Sequence, residues 1–134
     1  MSVRALPLLV LAFILYNAIV LTLGVESLQK EIFTLHLLSG GNWTFTWGDF
    51  ILLVTLILLF IEIVKSTFTT TSTLIDHALS MVVFMAVGAE FLLVDKAATS
   101  VFFLILVATL IDVIGGYTIG IRVARRDLNI GADH

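Results

Sequence analysis

Four long apolar runs decide what this chain can fold into. They cover about residues 5–24, 50–66, 74–94 and 99–121. A helix of about 20 apolar residues crosses the roughly 30 Å of bilayer hydrocarbon. In lipid the backbone must satisfy its own hydrogen bonds, and a helix does this within one segment. The runs lack the alternation of outer-membrane barrel strands. Hydrophobic residues make up 60% of the chain, charged residues 13%, and the mean hydropathy is +1.15. A typical soluble domain is about 45–50% apolar and about 25% charged, so that class is excluded. Disorder is excluded as well, since it needs low hydrophobicity and high charge. The expected fold is an all-α integral membrane protein, one transmembrane domain over residues 1–134, with four helices in an antiparallel bundle.

The connections fit that bundle. Residues 25–49 form the long one, whereas 67–73 and 95–98 are short enough to make consecutive helices antiparallel neighbours. Pro7 falls in the first turn of the first run, where its missing N–H costs nothing. Ser72 or Thr73 is positioned to cap the third run. Arg4 ahead of the first apolar run resembles a signal peptide, but the run exceeds the usual 7–15 residue core and no convincing small-x-small cleavage site follows, so an uncleaved anchor is expected over a cleaved leader. With both termini cytoplasmic, Arg4, Lys65, Arg122, Arg125 and Arg126 lie inside and only Lys30 and Lys96 outside. This obeys the positive-inside rule, so a multi-pass topology with both termini cytoplasmic is expected.

In the long connection, Leu28, Ile32 and Leu35 recur at helical spacing among polar residues, which predicts a short interfacial helix. Trp43 and Trp47, with Phe45 and Phe50, then form an aromatic belt ahead of the second run and serve as interface anchors. A lid over an extracytoplasmic pocket is the sharper alternative. Asn42-Trp43-Thr44 is a glycosylation sequon, relevant only in a eukaryotic secretory setting.

Much chemistry is excluded outright. There is no cysteine, and the three histidines, His36, His77 and His134, have no metal-motif spacing. Gly40-Gly41 and Gly115-Gly116 lack the pattern of a phosphate loop. The net charge of −3 gives no nucleic-acid footprint. No cofactor motif occurs, and Ser80 near His77 is a poor dyad, so no enzymatic activity is expected.

The ionisable groups within the runs carry the most information. Glu62 lies in the second run, Asp76, His77 and Glu90 in the third, Asp112 in the fourth, and Asn17 is deep in the first. An acid at a helix centre costs about 2.5–3.5 kcal/mol on the insertion scale. Such groups face the bundle interior, pair, and mark pathways. Helical spacing puts Thr55, Glu62 and Ser66 on one face, Asp76, Ser80, Val83, Val87 and Glu90 on a second, and Ala108, Asp112, Gly115 and Gly116 on a third. Glu62, His77 and Asp112 then share the cytoplasmic half, where carboxylates and an imidazole can hold and pass a proton. Structural readings stand beside this one. Glu62 can pair with Lys65 three residues on, Asp76 can sit as a helix N-terminal charge, and Glu90 can reach the outer surface. Asp112 has no basic neighbour on its own helix. Metal binding by Glu62, His77 and Asp112 is unmarked by any motif.

Gly116 and Gly120 form a Gly-x-x-x-Gly pair, and Gly88 stands between Ala86 and Ala89. Small residues let helices approach closely, within one chain or between copies. Beyond the lipid bilayer, the expected partners are further copies of the chain or a larger membrane complex.

From the second run onward, Phe60-Ile61-Glu62, Lys65, a short polar loop, Leu92-Leu93-Val94-Asp95-Lys96, an apolar run and the basic tail Arg122, Arg125, Arg126 resemble the phosphate-starvation-inducible PsiE family of small four-span membrane proteins. The resemblance covers about residues 50–126, and Glu90 stands where that family's pattern carries a basic residue. It implies a bacterial-type cytoplasmic membrane protein linked to stress or phosphate limitation and brings no catalytic residues. The expected function is therefore structural, regulatory or accessory. The alternative is an oligomeric ion channel or proton-coupled transporter that uses the intramembrane acids.

Overall fold

The computed structural model describes residues 6–67 and 71–132. Its helices are α1 (Leu9–Leu23), α2 (Trp47–Lys65), α3 (Thr71–Leu93) and α4 (Ser100–Ala132). Single 3-10 turns follow α1 (Val25–Gln29) and α3 (Asp95–Ala97). Trp47–Lys65, Ile75–Leu93 and Ser100–Arg122 are long and apolar enough to cross a membrane. The apolar α1 has only 15 residues, about 22 Å at 1.5 Å per residue. It starts after Pro7 rather than around it, so Pro7 precedes the first turn instead of lying within it. It stops at Gly24, whose φ of 91° is open to glycine and whose N–H bonds Val20 O.

Each other helix also departs from its expected limits for a local reason. α2 starts at Trp47, ahead of the apolar run, because Thr46 and Asp49 form a capping box. Thr46 Oγ1 accepts from the Asp49 N–H at 3.2 Å, and the Asp49 carboxylate accepts from the Thr46 N–H at 3.1 Å. α3 begins at Thr71, so Ser72 and Thr73 lie inside the helix; their side chains fall outside the description, as do Arg4 and His134. α4 runs past the end of its apolar stretch through Arg122, Arg125 and Arg126, since good helix formers continue where lipid no longer demands them.

The interfacial helix expected around Leu28, Ile32 and Leu35 does not form. Leu28 belongs to the 3-10 turn and is buried, and the chain then makes an antiparallel hairpin of β1 (Glu31–His36) and β2 (Asn42–Thr46). Counting only Leu28, Ile32 and Leu35 overlooked Phe33, which with Leu35 sets a period of two. Phe33 pairs with Phe45 and Leu35 with Trp43 across the strands. Phe33 stacks on Phe45 at 4.9 Å between ring centroids, and Trp43 meets both rings edge-on at 5.9 and 5.7 Å. Aromatic cross-strand pairs of this kind stabilise a sheet. Gly40, at φ 92°, lets the chain reverse.

The bundle core gathers Tyr16, Val20, Ile51, Val87, Phe102 and Ile105. Tyr16 and Phe102 meet edge-on at 4.9 Å. The buried Tyr16 hydroxyl reaches Lys96 O and Thr99 Oγ1, each at 2.8 Å, and so ties α1 to the α3–α4 connection. Tyr16→Phe should therefore cost about 1–3 kcal/mol by leaving buried groups unpaired. A lower thermal midpoint in detergent checks this, and an unchanged midpoint would show that the link carries no weight. The outer surface is the apolar one: Leu56, Phe60, Met85 and Ile114 are exposed, whereas Glu62, Asp76, Thr109 and Asp112 are buried. A soluble domain distributes these residues the other way.

Candidate functional site

Antiparallel packing carries the last turn of α2, the first half of α3 and the middle of α4 to one end of the bundle. Glu62, Asp76, His77 and Asp112 meet there with relative exposures of 2, 3, 7 and 5%, so all four are withdrawn from the surroundings. Each sits on the inward stripe of its helix. On α2 that stripe includes Ile51, Thr55 and Glu62, and on α3 Asp76, Ser80, Val83 and Val87.

Glu62 Oε1 accepts from the Leu8 N–H at 2.7 Å and from Lys65 Nζ at 3.0 Å. A carboxylate on α2 thus serves an N–H that the start of α1 leaves without a helical partner, and its charge complements the positive end of the α1 dipole. Lys65 is the hub. Its ammonium donates to Leu6 O at 2.7 Å and to Glu62, and it lies 3.5 Å from Asp76 Oδ2. An ammonium has three donors, matching these three acceptors. Asp76 Oδ1 has no hydrogen-bond partner among the described residues. Asp112 lies beside Ser80 of α3.

One expectation for these residues changes. Asp76 lies beyond the first turn of α3, so it is a cross-helix partner of Lys65 rather than a charge at the helix terminus. The His77 ring packs over Gly116 and Gly120 and meets Tyr117 edge-on at 4.9 Å. A Cβ on Gly120 would lie 3.1 Å from His77 Cε1, so the glycine pair makes room for an imidazole within the chain. Gly88 faces Leu106 of α4, again within the chain.

Glu90 stays away from this cluster. It lies beside Asn17 of α1, whose Nδ2 donates to Phe13 O at 3.0 Å, and its buried Oε2 has no hydrogen-bond partner among the described residues. Trp43 stands on the hairpin, while Trp47 opens α2, packs against the core and meets Phe50 edge-on at 5.9 Å. Among the described residues no three His, Asp or Glu side chains are grouped to hold a metal ion. A cavity of about 350 Å³ opens at the opposite end between the 3-10 turn after α1 and the starts of α2 and α4, lined by Gln29, Thr46, Asp49, Thr99 and Ser100 among others. None of the intramembrane acids reaches it.

Sequence reasoning missed Tyr16 and the central position of Lys65. A tyrosine within an apolar run is itself a signal, because its hydroxyl needs a partner when buried. The Lys65–Asp76 contact had no such signal, since it joins residues on different helices. Comparison with protein-family models, curated proteins and solved structures returned no match. The functional reading therefore rests on the geometry and on the resemblance carried by the sequence.

Proposed function

We propose that this is a small multi-pass cytoplasmic-membrane protein of structural, regulatory or accessory type, in which the polar cluster is an internal fastening rather than a conduit. One observation carries the reading: the polar cluster is held from within the chain. Glu62 accepts from Leu8 and Lys65, Asp76 Oδ2 faces Lys65, and Asp112 and Glu90 lie beside Ser80 and Asn17. Acids that face bundle interiors and pair with neighbours can close a fold without passing an ion. We further place α1 as a fourth span with both termini cytoplasmic. The stretch from Leu6 to Leu8 meets Lys65 and Glu62 at the end of α2, and the turn after α1 packs on Gly48 at its start. α1 with its flanks thus runs the length of α2, which covers the hydrocarbon that 15 helical residues alone would not. A link to phosphate limitation comes from the PsiE-like resemblance alone.

A conduit reading has one specific support. Glu62 and Asp76 share a single ammonium, and Asp76 Oδ1 and Glu90 Oε2 are buried without a hydrogen-bond partner among the described residues. Excess negative charge of this kind attracts protons or cations. Ion flux in proteoliposomes separates the two. The fastening reading expects no proton, sodium, potassium or phosphate flux from the parent chain. Flux that disappears in a folded Asp112→Asn or Glu62→Gln variant would replace it with an oligomeric channel or transporter.

A further inference from the structure

We propose that the β1–β2 hairpin is a membrane-surface anchor. Its aromatic face and its Leu37 and Leu38 tip would insert at the boundary between headgroups and acyl chains in the leaflet around the start of α2. The inference rests on the membrane reading above and goes beyond it. The hairpin has two unlike faces. Phe33, Leu35, Trp43 and Phe45 share one, and Phe33, Leu35 and Trp43 are 41, 48 and 45% exposed. On the other, Thr34 bonds Thr44 at 3.1 Å and His36 Nδ1 bonds Asn42 Oδ1 at 2.8 Å, and Thr34 also bonds Glu31. At the tip Leu38 is fully exposed and Leu37 half-exposed.

Three observations select lipid as the occupant. First, no linker separates the hairpin from the membrane-crossing candidate: β2 ends at Thr46 and α2 begins at Trp47. The Trp47 N–H bonds Lys30 O at 3.1 Å and closes the hairpin base, so the hairpin is held at the level where α2 starts. Second, from Ile32 to Gly48 there is no Asp, Glu, Lys or Arg, so insertion strips no carboxylate, ammonium or guanidinium charge. Third, the exposed residues are of the types that populate bilayer interfaces, with Trp and Phe beside Leu. A lone two-stranded hairpin is marginal in water, and an apolar support under one face stabilises it.

Trp43 and Trp47 are the chain's two tryptophans, which makes the test direct. Trp47→Phe leaves Trp43 as sole reporter in vesicles of phosphatidylcholine and phosphatidylglycerol. Bromine placed high on the acyl chains should quench Trp43 strongly, and quenching by aqueous iodide should fall about three-fold or more relative to the unfolded chain. Trp43 open to iodide and unaffected by bromolipid would overturn the proposal. So would protection from iodide that is lost on dilution into excess lipid, because a second copy would then be the cover. Because the chain has no cysteine, Leu38→Cys carrying an environment-sensitive fluorophore repeats the test at the tip with Trp47 intact. Blue-shifted emission in vesicles is expected, and water-like emission overturns the anchor.

A third chain, Trp43→Phe with Trp47→Phe and Phe60→Trp, reports on α2 itself, where residue 60 is 68% exposed. Quenching by deep bromine of the Trp introduced there, with Trp43 unquenched in the Trp47→Phe chain, removes the hairpin anchor alone. Failure at both positions removes the membrane reading as well.

Discussion

Lys65→Met should destabilise the protein by about 3 kcal/mol, the lower end for breaking a buried ion pair by removing one partner. The lower end applies because the Lys65 side chain keeps 17% exposure, whereas Glu62 and Asp76 side chains keep 1% and 4%. Removing the ammonium leaves two carboxylates in a poorly solvated interior and frees Leu6 O. Adding Glu62→Gln and Asp76→Asn to Lys65→Met should restore much of the loss, because neutral amides need no counter-charge. Glu62→Gln alone should cost less than Lys65→Met, since the amide oxygen still accepts from Leu8. Thermal or denaturant unfolding in detergent measures all of these. A triple variant no more stable than Lys65→Met would show that charge is not what the cluster balances.

Gly48→Ala is the second large effect. A Cβ there would lie 2.9 Å from Leu28 O and 3.0 Å from Val101 Cγ2. The oxygen is backbone and cannot rotate away, so the turn after α1 must move off the start of α2. Forced overpacking of this sort costs about 1–3 kcal/mol, more than the helix propensity gained by alanine returns. Gly88→Ala supplies the contrast, because its Cβ would meet Leu106 Cδ1 at 3.7 Å, an ordinary contact. The first variant should melt earlier than the parent and the second should not. Equal midpoints would show that the turn yields freely.

The contrast between these residues also marks what a sequence reader can find. The helices α2, α3 and α4 were legible because lipid-length apolar runs admit few alternatives. The Glu62–Lys65 pair was legible because residues three apart on a helix are neighbours. The inward faces of α2 and α3 followed from the same periodicity. The hairpin runs against the helical spacing of Leu28, Ile32 and Leu35, which holds only while Phe33 is left out; Phe33 and Leu35 together fit a strand period. Cross-strand aromatic pairing and a reversal at Gly40 then decided in favour of the strand.

The sequence by itself determined that the chain must place its apolar surface in a nonaqueous setting, which helices carry it, and which face of each turns inward. These follow from hydrophobic patterning and from backbone hydrogen bonding, both local properties. Only the tertiary structure decided that Lys65 joins Glu62 to Asp76, that Glu62 serves the start of α1, that His77 rests on the glycines of α4, and that Tyr16 closes onto the α3–α4 connection. Each of these contacts spans different elements. Its existence depends on how deeply one helix slides past another, and a displacement of one helical turn, about 5.4 Å, would break it without changing any local pattern.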